Sequence, residues 1–173
     1  PFAEYKIKTT ESHHTYLLPE ELEKLEQINF SRKKESLCHS LDAFLFCCYT
    51  GLRYSDFIRM EEENFIQTNS GLWLVFKSQK TGTVTQIPLS HLFQGKAVRL
   101  LSHYPNLKDF FFIISNASVN KELIRIGKLA GIEKHFSFHT ARHTNATLLL
   151  YKGVQLATVP KLLGHRNNKP TQV

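Results

Sequence analysis

Apolar positions early in the chain follow a helical period. Leu37, Leu41, Phe44, Leu45 and Cys48 recur at i, i+4, i+7, i+8 and i+11, the spacing of one buried helix face. They predict a helix over residues 34–50, closed by Gly51, since glycine suits a helix C-terminus. An earlier, acidic helix is predicted over residues 19–28. Pro19 fits a first turn, and the acids that follow it suit the positive end of the helix dipole. Leu22 and Leu25 give that helix a short apolar stripe. A brief helical segment is expected over residues 54–60.

The period changes near residue 64. Phe65-Ile66, then Asn69-Ser70-Gly71, then Leu72-Trp73-Leu74-Val75-Phe76 read as strand, turn and strand. Lys80-Thr81-Gly82 gives a second turn and residues 84–89 a third strand, with the sheet ending at Pro88. Helical periodicity returns over about 90–103, 119–130, 139–151 and 155–163, with Gly131, Gly153 and Gly164 at helix ends. The expected fold class is mainly α with a small antiparallel three-stranded sheet (α+β). Residues 1–16 are polar, lack a helical period and read as a linker or extended arm.

Composition narrows the class. A chain of 173 residues is most simply one domain with a real core, and 42% hydrophobic with 21% charged residues is ordinary for a globular protein. No apolar run reaches the roughly 18–20 residues that span a bilayer, and the first residues hold no apolar signal core. A cytoplasmic location and no membrane partner are expected. Three cysteines, with Cys47 and Cys48 adjacent, make a poor disulfide framework and read as reduced, buried thiols.

Charge is unevenly spread. Residues 1–63 hold 8 Lys+Arg against 12 Asp+Glu, whereas residues 64–173 hold 14 against 3. The basic part suits a polyanion such as nucleic acid, or a surface tuned for solubility.

Four short motifs carry candidate chemistry. In Thr50-Gly51-Leu52-Arg53-Tyr54-Ser55-Asp56, an arginine follows the end of an apolar helix, with Asp56 three residues on and on the same face. Arginine holds a phosphate through two parallel hydrogen bonds; a plain helix-end ion pair has the same spacing. Lys80 sits at a hairpin tip, where it can reach a groove as a point charge or proton donor, or simply face solvent. His139 and Arg142 share one face at a helix start, a place that favours anions. Beside a permanent cation, a histidine that exchanges protons near neutral pH suits phosphoryl transfer. His143 is expected to point elsewhere, as a core or hydrogen-bonding residue. A zinc site on His139 and His143 lacks the Cys-x-x-Cys half that such spacing needs, so no metal is expected. Last, Leu162-Leu163-Gly164-His165 presents a polar ring just past a helix-ending glycine.

In order and spacing these motifs resemble the catalytic domain of the tyrosine recombinase (phage integrase) family. The wording Gly51-Leu52-Arg53-Tyr54-Ser55-Asp56 and His139-Thr140-Ala141-Arg142-His143-Thr144 is most like integrases of conjugative transposons and related mobile elements. The resemblance covers residues 17–173. It implies that Arg53 and Arg142 clamp the scissile phosphate, that Lys80 protonates the leaving 5′ oxygen, that His139 handles the proton of the nucleophile, and that His165 hydrogen-bonds the phosphate. Asp56 supports Arg53. It also implies double-stranded DNA as partner, a homo-tetramer on DNA, and no metal, nucleotide or other cofactor.

The resemblance places the nucleophilic tyrosine directly after Val173, so none is expected within this chain. Residues 1–16 are expected to be the linker from a missing N-terminal DNA-binding domain. Residues 17–173 are then a catalytic domain truncated just before its nucleophile and inactive in cleavage. Pro160 removes a backbone donor ahead of Leu-Gly-His and is expected to kink or shorten that helix. Two alternatives are a non-catalytic DNA-binding relative acting as a regulator, and a type IB topoisomerase, which the size and the Leu-Gly-His wording disfavour.

Overall fold

The computed structural model describes residues 15–30, 35–112, 115–155 and 158–159. Its axis is α2 (Glu35–Thr50). The predicted stripe is buried, but so are Ala43, Phe46, Cys47 and Tyr49. The second half of α2 is enclosed on all sides, because α4 (Lys96–Leu101), α6 (Asn116–Leu129) and α7 (Thr140–Tyr151) pack around it. A one-faced helical pattern does not foretell that enclosure. α1 (Pro19–Glu26) buries Leu22 and Leu25 as expected. Ahead of it, the Leu17 N–H donates to the Thr144 hydroxyl at 3.0 Å, tying the chain's approach to α7.

The sheet is as expected: β1 (Phe65–Thr68), β2 (Gly71–Lys77) and β3 (Val84–Pro88), antiparallel in the order β1-β2-β3. Phe65 faces Leu74, and Leu74 faces Ile87. Leu74, Phe76, Thr85 and Ile87 turn inward and are buried. Helix α3 (Tyr54–Phe57) is shorter than expected. Phe57 packs with Phe46, Phe110, Phe111 and Phe138, in a cluster that ties α3 to the approach of α7.

Three helical expectations are corrected. Residues 90–103 are not one helix: a 3-10 turn at Leu92–Gly95 precedes α4, and Phe93 and Gln94 are left-handed (φ 47° and 57°). Phe93 packs on Tyr49, and Arg99 donates to the Gln94 carbonyl at 2.7 Å. The left-handed run continues into Gly95 (φ 70°), which stands just ahead of α4. A helix absent from the periodic pattern, α5 (Leu107–Phe111), is five residues long and capped by Asn106, whose side chain accepts the Lys108 N–H. Helix α6 starts at Asn116 because Ser115 caps it, accepting the Ser118 N–H at 3.1 Å. Of the predicted helix 155–163, residues 156–157 and 160–163 lie outside the described residues, as do Pro160, Gly164, His165 and residues 1–14. Among the described residues no helix is long and apolar enough to cross a membrane.

Candidate active site

The end of α2 builds the first half of the site. Gly51 turns the chain at φ 73°, and Arg53 stands at the N-cap of α3. Its backbone carbonyl accepts the N–H groups of Asp56 and Phe57, which brings Asp56 back over the same turn. Arg53 Nη1 lies 4.0 Å from Asp56 Oδ2 and 3.5 Å from Ser78 Oγ.

Asp56 is buried, with 3% side-chain exposure, and it does more than face Arg53. Its Oδ1 accepts the Gln79 N–H at 2.8 Å, and its Oδ2 accepts the Ser78 hydroxyl at 3.3 Å. One carboxylate thus holds an arginine and the base of the β2–β3 loop. The loop closes on itself through Ser78 N–H to the Thr83 carbonyl at 2.9 Å and Gly82 N–H to the Ser78 carbonyl at 2.8 Å. Lys80 is exposed on that loop, two residues past the anchored Ser78.

Helix α7 supplies the second half. Arg142 is buried, and its Nη1 donates to the Gly51 carbonyl oxygen at 2.6 Å. One turn on, Asn145 Nδ2 donates to the Cys48 carbonyl at 2.8 Å. Both side chains thereby satisfy carbonyls at the C-terminal end of α2, where unpaired acceptors and the negative dipole end favour a cation. Arg53, Asp56, Ser78 and Arg142 line one small cleft. Burial, and then the like charge of Arg53, push the Arg142 guanidinium down to about 10, while Asp56 pulls the other way. It remains charged at neutral pH, and an anion between the two guanidinia would relieve their repulsion.

His139 is exposed at the N-cap of α7 and makes no side-chain capping bond there. His143 is not turned away from it: the two rings meet edge to face with centroids 4.8 Å apart, as residues four apart on a helix can. His165 lies outside the described residues. Among the described residues no group of three or more His, Cys, Asp or Glu is placed to hold a metal ion. The structure therefore joins Arg53, Asp56 and Arg142 in one cleft, with Lys80 on the adjoining loop and His139 at the same helix start as Arg142.

Two members escaped the sequence motifs. Ser78 continues the inward parity of Leu74 and Phe76 past the strand end, so period two would have found it. Asn145 lies three residues after Arg142, on the same helix face.

Arg53 and Arg142 thus meet at one small cleft of a helical domain that carries a single three-stranded sheet. Residues 15–173 match the phage integrase family, and the chain belongs to that family. It is 27% identical over 163 residues to a tyrosine recombinase of Pseudothermotoga lettingae, a match covering 91% of this chain and 54% of that protein. Among solved structures, it is similar to the XerH site-specific recombinase bound to its difH substrate in a pre-cleavage complex. That match has TM-score 0.66 and 25% identity, over 88% of this chain and 48% of the other. The lambda integrase catalytic core shares the fold, with TM-score 0.66 and 21% identity, over 90% of this chain and 95% of the other. The chain thus spans about half the length of the curated tyrosine recombinase it matches.

Proposed function

We propose that this chain is the catalytic domain of a site-specific DNA recombinase that cuts and rejoins DNA through a 3′-phosphotyrosine intermediate. The observation that carries this is the convergence of Arg53 and Arg142, from separate helices, on one cleft braced by Asp56. Two fixed guanidinia, one tied to a helix end and one to a buried carboxylate, suit a phosphodiester that gains charge in its transition state.

In this scheme the nucleophile is the tyrosine expected directly after Val173. Its hydroxyl oxygen attacks the phosphorus while the bond to the 5′ oxygen breaks. His139 takes the hydroxyl proton and Lys80 gives one to the leaving 5′ oxygen, so protons balance. His165 hydrogen-bonds a phosphate oxygen. Fixed cations do the electrostatic work, with no metal or other cofactor required. The phosphotyrosine keeps the bond energy, so a new 5′ hydroxyl can reverse the step without ATP. Residues 1–16 act as the linker from an N-terminal DNA-binding domain, and residues 17–173 as the catalytic domain. The working partner is double-stranded DNA gripped by the full-length protein, acting as a homo-tetramer on DNA in the cytoplasm. The 173 residues by themselves do not form the adduct.

The test uses the full-length protein and a pool of nicked duplexes randomised around the nick. Denaturing capture should recover a covalent protein–DNA adduct on the 3′ side, and residues 1–173 alone should give none. DNA binding without any adduct from the full-length protein would favour a non-catalytic regulator. An adduct formed by residues 1–173 would overturn the assignment of the nucleophile.

A further inference from the structure

Helix α7 begins with a residue that does not cap it. Ser, Thr, Asp or Asn commonly holds a helix start through its own side chain, yet His139 occupies the N-cap and makes no such bond. The start is held both by its own first turn and by a neighbouring helix. The half-buried Asn120, in the second turn of α6, accepts the Phe138 N–H on Oδ1 at 2.8 Å. Its Nδ2 donates to Asn116 Oδ1 at 3.3 Å, one turn nearer the start of α6. On the α7 side, the Thr140 hydroxyl accepts the Ser137 N–H at 3.0 Å, and the Thr140 N–H returns to the Ser137 carbonyl at 2.9 Å.

The same stretch is pressed onto α6 from its other end. A Cβ on Gly127 would stand 2.8 Å from the Phe136 ring, so glycine lets that ring lie against the helix backbone. Phe138 is 1% exposed and packs edge to face on Tyr54 at 5.5 Å, beside Arg53. The peptide ahead of His139 is thus fixed by an amide on one helix and an aromatic contact to another. His139 itself is exposed, with its ring edge to face against that of His143.

We infer that Asn120 is a positioning residue for His139, acting through the Phe138 peptide. This rests on the placement of His139 in the phosphate site proposed above. By fixing the Phe138 N–H, Asn120 fixes where α7 starts and where the His139 ring is presented. Loss of the acceptor lets that start shift, and displacements of about 1 Å in a phosphoryl-transfer site can cost on the order of 100-fold in rate.

The experiment measures single-turnover cleavage of a nicked duplex by the full-length protein, with DNA affinity measured alongside. Asn120→Ala should slow cleavage on the order of 10- to 100-fold while DNA affinity stays within about twofold. Asn120→Asp keeps the acceptor and should recover most of the rate. Asn120→Gln keeps the amide but displaces it by one methylene, and should be slow although folded; it serves where Asn120→Ala does not fold. In a His139→Ala background, Asn120→Ala should cost less than about twofold more, because residues acting as one unit are not additive. Equal losses in both backgrounds, or Asn120→Ala and Asn120→Gln proteins that cleave normally, would overturn the inference while leaving the site intact. A His139→Ala protein that cleaves normally would instead overturn the assignment of His139 itself.

Discussion

Arg142 Nη1 donates to the carbonyl oxygen of Gly51, two residues ahead of Arg53. With the bond from Asn145 Nδ2 to the Cys48 carbonyl, this contact links α7 to the end of α2 just ahead of Arg53. A lysine at 142 has a single point charge and cannot both hold that carbonyl and offer a planar fork to a phosphate. Arg142→Lys is expected to lower adduct formation by the full-length protein on the order of 100-fold or more. The stability loss should be on the order of 1–3 kcal/mol, from the weakened bonds of this buried side chain, that to Gly51 among them. Single-turnover cleavage and urea unfolding separate the two effects. Near-normal cleavage by the lysine variant would mean that the fork geometry is not used.

Gly51 is left-handed at φ 73°, where an L side chain costs about 1–2 kcal/mol. Gly51→Ala incurs that cost and also moves the carbonyl that Arg142 grips. Gly153 offers a control: it is left-handed at φ 80°, a Cβ there would meet no other residue within 4 Å beyond its chain neighbours, and it lies past the far end of α7. Gly153→Ala should lose about 1–2 kcal/mol and the buried Gly51→Ala at least as much, but only Gly51→Ala should slow cleavage beyond what unfolding explains. Equal cleavage by both variants would show that the Gly51 carbonyl does not set the arginine geometry.

The parts of this site that stand at helix ends were legible in the sequence. Gly51 marked the end of α2, so Arg53 and Asp56 could be placed on one turn; the His139–Arg142 spacing did the same at the start of α7. What stayed hidden depends on contacts between distant segments. Asp56 bonding to Gln79, Asn120 to Phe138 and Asn145 to Cys48 are pairings that no local period encodes. The left-handed Phe93-Gln94 pair packs Phe93 on distant Tyr49, a contact equally absent from any local period, and is followed by left-handed Gly95. α5 was missed because five residues are too few for a helical period to register.

Asp56 has two separable tasks. Asp56→Asn keeps an oxygen for the Gln79 N–H but removes the charge opposite Arg53, whereas Asp56→Ala removes both. The alanine variant leaves the Gln79 N–H and Ser78 hydroxyl without this partner, at a cost of about 1–3 kcal/mol, and frees the base of the loop that carries Lys80. Asp56→Asn should therefore be the more stable of the two and the faster in cleavage. Backbone hydrogen exchange at Gln79 should stay slow in the asparagine variant and quicken in the alanine variant. Equally slow exchange in both would exclude Asp56 as the anchor of the loop.

Away from the site, Asp42 on α2 gives a pH dependence of defined sign. Burial raises its carboxyl above the usual range, outweighing the 2.9 Å hydrogen bond from the Tyr104 hydroxyl and the nearby His103 and His39. Cys38 also faces it, and its thiol is raised by burial and by the Asp42 charge. Because the folded-state value lies above the unfolded one, Asp42 contributes stability in full below about 3.8, and that contribution is lost as pH rises through the raised folded value. Above the raised folded value the carboxylate is ionised at a cost to the fold. Asp42→Asn keeps an oxygen for Tyr104 and carries no charge, so it should raise the Tm at pH 7 and bring no gain below pH 3.8. Thermal unfolding of both proteins at the two pH values measures the difference. A variant less stable than the parent at pH 7, or one shifted equally at both, would mean that the Asp42 charge is stabilised by its surroundings and not penalised by them.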